Sequence, residues 1–292
     1  MTLEHFIIAV YCWIEENWDC IGEAPLRSAG FPPSLRDTEA LTIAVVGECL
    51  GLTADKHIWL HFKRHYQEWF PGLRSRPAFV KQCAGLLTVK QRLLERLFAD
   101  TRASPLHMID GVPLPVTHLA RSSRDRCFKG EAAYGYCASK DEHYYGFLGH
   151  VLINDEGRLA GFLLTPANGS EREALRELAY GITGMVLGDK GFISEPLRLD
   201  LAAQGVELQT KLRDNMQDTR NPHFVDWIVS TRRLVETVIG QLTGRFKINA
   251  IRVKDFWHFQ ARVARKLLAH ALATLIAKQL GRVPTQIEAM LS

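Results

Sequence analysis

Gly184-Met185-Val186-Leu187-Gly188-Asp189-Lys190-Gly191-Phe192 is a short apolar run that closes on a carboxylate, followed by a lysine and a glycine. A buried parallel strand reads as such a run, and open α/β sheets carry their chemistry at the carboxyl ends of strands. Taken alone, an ordinary turn aspartate is the simpler reading, because Asp and Gly are common turn residues. The stretch gains weight from Met108-Ile109-Asp110-Gly111, which repeats the pattern of an apolar run, a carboxylate and a glycine.

Around these two runs the sequence from Leu106 onward reads as strands, then alternating helices and strands. Leu106 to Val116 is a predicted strand whose Pro113 and Pro115 confine its later part to an edge or a bulge. Arg121 to Gly135 reads as a basic loop, Tyr144–Asn154 and Leu159–Thr165 as strands joined by the turn Asp155-Glu156-Gly157-Arg158. Ser170-Glu171-Arg172-Glu173 caps a helix to about Tyr180, with acidic residues suited to its first turn. After Asp189 come a helix at about Glu195–Ala203, a strand at Val206–Leu212, a polar loop at Asp214–Pro222, and helices at about 225–247 and 255–281. The first hundred residues read as helices: Leu3 to Trp18, Thr38 to Leu50 capped by Ser34–Asp37, Asp55 to Phe70, Pro77 to Leu87, and Lys90 to Leu97. Ala24 to Pro33 reads as a loop. The change of texture at Thr101–Pro105 places a domain boundary at 104/105, with 1–104 helical and 105–292 carrying the sheet and the long C-terminal helices.

At 292 residues and 47% hydrophobic, the chain is long enough for a large domain beside a smaller one. No apolar run reaches the ~18 residues of a membrane span, and the N-terminus lacks a basic n-region. Six cysteines without a CxxC pair argue for reduced thiols in a cytosolic protein and against a zinc ribbon. His57, His61 and His65 share a helical face but lack the Glu or Cys of a metal site, so packing explains them. No P-loop, dinucleotide motif or G-x-S-x-G turn occurs. The net charge of +4 is unevenly spread: −7 over residues 1–55, +7 over 56–98 and +9 over 209–282. Two basic blocks point to a polyanionic partner, nucleic acid first, and short helices with a basic second half are compatible with a helix-turn-helix reader.

Five segments together resemble one family: Ile109-Asp110-Gly111-Val112-Pro113-Leu114-Pro115-Val116, Tyr145-Gly146-Phe147-Leu148-Gly149-His150, Gly161-Phe162-Leu163-Leu164-Thr165-Pro166, Leu187-Gly188-Asp189-Lys190-Gly191-Phe192, and Arg232-Arg233-Leu234-Val235-Glu236-Thr237-Val238. The chain resembles, over nearly its whole length, the DDE transposases of bacterial insertion sequences. The resemblance implies a ribonuclease-H-like fold, a mixed five-stranded sheet flanked by helices and preceded by an all-α N-terminal domain that binds DNA. It implies catalytic and metal-binding roles for Asp110, Asp189 and Glu236, separated by 79 and 47 residues. Two Mg²⁺ or Mn²⁺ ions are implied, Asp110 bridging them and Asp189 and Glu236 each holding one. Such a pair, about 3.5–4 Å apart, stabilises the attacking and leaving oxygens of an in-line displacement. Hard divalent cations take carboxylate and water oxygens, which accounts for the residue type.

Glu236 competes with Asp214, Asp218 and Asp226 for the third place. On its helix Val235, Val238, Ile239, Leu242 and Phe246 form the apolar face, and Arg232, Arg233, Glu236, Gly240, Thr243 and Lys247 the other. A plain ion pair with Arg232 or Arg233 is the competing explanation of Glu236. Many insertion-sequence transposases carry Y-x2-R-x3-E-x6-K here. Arg232 and Glu236 fit that spacing, while Val229 and Thr243 stand where the Tyr and Lys would be. Lys247, one turn on, is the substitute phosphate contact, and Arg232, Arg233, Lys190, Arg121 and Arg124 complete the expected DNA-binding set. His150 reads as a core histidine. The expected partners are element ends and target DNA, with a dimer or larger synaptic assembly. An endonuclease without strand transfer and a non-catalytic DNA-binding descendant are the alternatives.

Overall fold

The computed structural model describes residues 1–21, 32–138 and 141–288. Most of the predicted loop at Ala24–Pro33 lies outside the described residues. The chain packs as two units, residues 1–97 with 242–292, and residues 98–241.

The first unit holds α1 (Leu3–Glu16), α2 (Asp37–Cys49), α3 (Asp55–His65), α4 (Arg76–Gly85) and most of α5 (Leu87–Arg102). It also holds the last helix of the chain, α9 (Phe256–Gln279). Sequence reading grouped the C-terminal helices with the sheet; by packing α9 falls here instead. Its reason is visible in α2, which is buried on almost every side and so needs neighbours all round. Buried Glu48 on α2 meets two buried cations of α9: Arg265 Nε donates to Glu48 Oε1 at 2.8 Å and Lys266 Nζ to Oε2 at 2.8 Å. The start of α2 also differs from expectation. Arg36 is its cap and Asp37 its first helical residue, and the Glu39 carboxylate accepts the Arg36 N–H at 2.9 Å.

The second unit is built on a sheet of six strands among the described residues, not five. These are β1 (Leu106–Thr117), β2 (Ala133–Cys137), β3 (Glu142–Asn154), β4 (Leu159–Pro166), β5 (Gly184–Gly188) and β6 (Val206–Thr210). β2 has no counterpart in the sequence reading, whose basic loop Arg121–Gly135 covers its first three residues. Its order is β2-β3-β1-β5-β6, with β4 also on β3. β1 and β3 are antiparallel, β1 and β5 parallel, and β5 and β6 parallel. β4 and β2 share the edge of β3 away from β1, β4 along Phe147–Ile153 and β2 along Glu142–Gly146. Pro113 and Pro115 fall where β1 has run past β5, and the register breaks between Pro115 and Thr117, as the prolines predict.

Against one face lie α6 (Glu171–Leu178) and α7 (Glu195–Ala202), whose Leu175, Leu178, Leu197 and Leu201 pack with Ile109, Leu152, Val186 and Leu208. Ser170 caps α6 as expected, accepting from Glu173 N at 3.3 Å. Residues alternate across a strand, so Met108, Asp110, Leu187 and Asp189 face the other way. The helix α8 (Pro222–Gly244) begins in this unit and enters the first at Leu242. It stops at Gly244 rather than reaching Lys247, which follows with left-handed backbone (φ 50°).

Candidate active site

The parallel register of β1 on β5 pairs Leu106 with Met185, His107 with Val186 and Met108 with Leu187. Continued by two residues, it sets Asp110 beside Asp189 on one face, where β5 ends and β1 runs on past it. The two apolar runs therefore fix the two carboxylates to adjacent positions. Each aspartate accepts from a backbone N–H just after it in the chain, Asp110 within β1 and Asp189 at a turn. Asp110 Oδ1 accepts from Gly111 N at 2.8 Å, and Asp189 Oδ1 from Gly191 N at 2.7 Å, which caps the short 3₁₀ turn Lys190–Phe192.

From α8, Arg232 reaches Asp110, Nη2 to Oδ2 at 3.6 Å. The Arg232 Nε is buried and has no hydrogen-bond partner among the described residues. Burial raises the Asp110 pKa. The Gly111 N–H and Arg232 oppose that rise, and the charges of Asp189 and Glu236 add to it. Glu236 is exposed on α8 and forms no ion pair with Arg232 or Arg233 among the described residues. The surface-pair explanation of Glu236 therefore has no counterpart here, while its charge is felt at Asp110. Two of its three rivals are otherwise engaged: Asp214 Oδ1 lies 3.1 Å from Lys190 Nζ, and Asp218 Oδ2 lies 2.7 Å from Arg220 Nη2, while Asp226 is exposed at the start of α8.

A fourth carboxylate, not singled out in the sequence, enters from α6. A side-chain carbon built on Gly111 would lie 3.3 Å from Glu171 Oε1, and one on Gly191 3.1 Å from Oε2. Glu171 thus stands between the residues that follow the two aspartates, in space that two glycines leave free. Burial raises its pKa, and Asp189 and Asp110 push it further. Next to it, Arg172 donates to the carbonyls of Gly191 at 3.1 Å and Ile193 at 2.9 Å, fastening the turn after Asp189 to α6.

A family model described as a transposase DDE domain matches residues 100–255. The chain belongs to the DDE transposase family. Its second unit is the ribonuclease-H-like sheet of that family. A solved structure, the cryo-EM structure of a piggyBac transposase synaptic complex with hairpin DNA, matches with a TM-score of 0.53 at 12% identity. The match covers 97% of this chain and 76% of that one, and at such identity the likeness is one of fold. No curated protein matches the chain in sequence.

The basic residues expected at this transposase's DNA surface divide by place. Arg232 is inside the site, Arg233 is exposed on the same helix, and Lys190 is tied to Asp214. Arg121 and Arg124 are exposed in a 3₁₀ segment after β1, and Lys247 is exposed in the other unit. His150 is a core histidine, as read: it is buried on β3, its Nε2 lies 2.9 Å from Thr165 Oγ1, and burial lowers its pKa to about 4. The cysteines at 12, 49, 83, 127 and 137 are free, and no helix among the described residues is long and apolar enough to cross a membrane.

All four acidic groups offer oxygen, the donor that Mg²⁺ and Mn²⁺ take. As placed, no three His, Cys, Asp or Glu side chains among the described residues form a ready metal cage. Arg232 supplies the counter-charge at Asp110 in that arrangement. The donor chemistry fits a hard cation, and the ligand set has to draw together around it.

Proposed function

We propose that this transposase cuts the ends of an insertion element and joins them to target DNA, with Asp110, Asp189 and Glu236 holding two divalent ions. One observation supports the reading above the others. Two separated apolar runs on paired strands set Asp110 beside Asp189 on one face, at the end of β5, with the charge of Glu236 acting on Asp110. Bound Mg²⁺ or Mn²⁺ would neutralise charge on the reacting phosphate and sharpen the attacking oxygen. The chain's own part is to keep the carboxylates ionised and aimed. Gly111 N and Gly191 N fix one oxygen of each aspartate, and Arg172 holds the turn that carries Asp189. Arg232, 3.6 Å from Asp110 Oδ2, would supply positive charge both to Asp110 and to a phosphate brought beside it. In the first step a water oxygen bonds to phosphorus and the 3′ oxygen leaves as the 3′-hydroxyl; in the second that hydroxyl oxygen bonds to a target phosphorus, loses its proton, and the target strand's own 3′ oxygen leaves.

Cleavage and joining of labelled element-end DNA in Mg²⁺ or Mn²⁺ test this. Asp110→Asn and Asp189→Asn should abolish both steps while leaving DNA binding, and full cleavage in excess chelator would overturn the two-ion reading. Cut ends that are never joined would favour the endonuclease alternative.

The helical residues 1–104 are proposed to recognise the element ends, with a second copy of the chain serving the second end. Removing those residues is not a clean test, because α2 and α9 share the buried Glu48 charge cluster. Exposed Arg64, Arg74 and Arg76 in the +7 block are better probes. Their replacement by Glu should weaken end binding and flatten its salt dependence. Unaltered selective binding would move recognition elsewhere.

A further inference from the structure

Outside the carboxylate site, the second unit carries an open cleft of about 580 Å³ whose lining includes Ser122, Arg124, Arg126, Lys129, Tyr134 and Tyr145. Tyr134 sits on β2 directly across from Tyr145 on β3, their rings 5.1 Å apart, and its hydroxyl lies 3.0 Å from Ser122 Oγ. Tyr145 is buried, and its hydroxyl donates to Phe128 O at 3.3 Å. Tyr134 is therefore held at its hydroxyl and along one side, yet 54% of it is exposed. A ring fixed in this way has lost rotamer freedom and keeps apolar surface in water, which stabilises nothing within the fold itself.

The charges beside it are equally unpartnered. Arg121, Arg124, Arg126 and Lys129 form no ion pair with any described residue, and three of the four line the cleft. One acid also lines the cleft, Asp125, whose Oδ1 accepts from the N–H groups of Cys127 at 2.8 Å and Phe128 at 3.0 Å; three lining cations outnumber it. A bare aromatic face among free cations is the chemistry that holds single-stranded nucleic acid, the ring stacking a base and the cations meeting its phosphates. In a duplex both faces of a base are already covered by its neighbours, so the ring has nothing to stack on. We propose that this cleft binds an unpaired nucleotide of DNA, with its base on Tyr134 and its phosphates on Arg124, Arg126 and Lys129. This deepens, and rests on, the reading of the chain as an enzyme that acts on DNA.

Its position suits that use. Tyr145, Phe147, Gly149 and Val151 alternate onto one face of β3, and Val151 is the partner of Asp110. The tyrosines thus share the sheet face of the carboxylate site. Six residues of strand separate them from it, about 20 Å at ~3.3 Å per residue. A strand whose scissile phosphate lies at Asp110 would reach the cleft about six nucleotides away where the steps between keep the duplex rise of ~3.4 Å, and in fewer where it is unpaired and extended.

The test measures affinity of the full chain for an oligo(dT) of about 12 nucleotides and for a duplex of equal length, within the site sizes such platforms occupy. Tyr134→Ala should weaken single-strand binding about tenfold, with a much smaller effect on the duplex. Tyr134→Phe, which keeps the ring and loses the Ser122 contact, should stay within about twofold and controls for folding. A 2-aminopurine base in the oligonucleotide should be quenched on binding by the wild-type chain and by Tyr134→Phe, but not by Tyr134→Ala. Equal losses on both DNAs, or quenching that survives Tyr134→Ala, would overturn the stacking site. So would competition by poly-glutamate that removes all single-strand binding from wild type and Tyr134→Ala alike, since that is charge without stacking. If the wild-type chain cleaves element ends in Mg²⁺ yet shows no such preference, this proposal fails alone. If it binds no DNA at all, the reading beneath it fails as well.

Discussion

Glu48→Ala is the most direct probe of what holds the first unit together. The carboxylate is fully buried and receives Arg265 Nε and Lys266 Nζ, each at 2.8 Å. Arg265 keeps a second acid, Asp55 Oδ1 at 2.5 Å, whereas Lys266 has only the carbonyl of Phe246 at 2.6 Å besides. Burial works against the Arg265 charge, but Glu48 and Asp55 together outweigh it and its pKa is raised. For Lys266, burial lowers the pKa and Glu48 opposes the shift. Removing Glu48 therefore strands one buried ammonium and weakens the hold on a guanidinium. Breaking such a buried set by deleting one partner costs about 3–5 kcal/mol. Against a total of about 5–15 kcal/mol, that is a fifth or more of the stability of an ordinary domain. Replacing Glu48, Arg265 and Lys266 together with Met removes the cluster's charges while Asp55 keeps Arg262 Nη2 at 2.5 Å, and should recover to within about 1 kcal/mol of the parent or exceed it. Urea unfolding followed by tryptophan fluorescence is the assay, because Trp13, Trp18, Trp59, Trp69 and Trp257 all fall in the first unit. A loss below about 1 kcal/mol for Glu48→Ala would mean that water reaches the cluster and that the desolvation argument is wrong.

Glu236→Gln should abolish cleavage of element ends with end binding kept, whereas Asp214→Asn, Asp218→Asn and Asp226→Asn should retain substantial activity on the same substrate; an active Glu236→Gln beside a dead Asp226→Asn would misplace the third carboxylate. Glu171→Gln should raise severalfold the Mg²⁺ concentration for half-maximal cleavage, while Glu173→Gln, exposed and paired with Arg176, should not; equal effects would reduce Glu171 to a capping residue. Stability should also peak near pH 8.5 in reducing buffer. Burial pulls buried Lys90 down to about 7 from the usual ~10.4, so the unfolded chain binds the extra proton above pH 7 and stability rises with pH. The gain is at most about 2 kcal/mol up to pH 8.5. Beyond that the trend reverses. Burial pushes the Cys83 thiol up to about 12 and raises that of Cys49, while unfolded thiols lose their protons from about 8.5. Lys90→Met should flatten the rising limb in pH-dependent urea titrations, and an unchanged limb would show that Lys90 stays charged when folded.

What the sequence discloses about this site depends on whether a residue's role is local. Asp110 and Asp189 were legible because each closes a strand-length apolar run, and the parallel register of two such runs does the rest. Arg232 and Glu236 were legible through their spacing on an amphipathic helix. Its end was misread by three residues, although Gly244 supplied an ordinary stop signal before Lys247. β2 was missed, its first three residues falling in the basic loop, because five residues with a central glycine carry little strand propensity. Its alternation, Ala133-Tyr134-Gly135-Tyr136-Cys137, was present but short, and only the edge of β3 gives it partners. Glu171 was hidden by a sufficient local explanation, since an acid in the first turn of a helix needs no further cause. What distinguishes it is the pair of glycines at 111 and 191, one on β1 and one in the turn after β5, which leave its carboxylate room between the two aspartates. The placement of α9 beside α2 is non-local in the same sense: a glutamate at 48 and cations at 265 and 266 look like solvated charges until the helices are seen to be buried on nearly every side. In both cases the sequence holds an acid whose partner lies in a remote element. The energy that makes it matter comes from burial, which one chain read in order does not display.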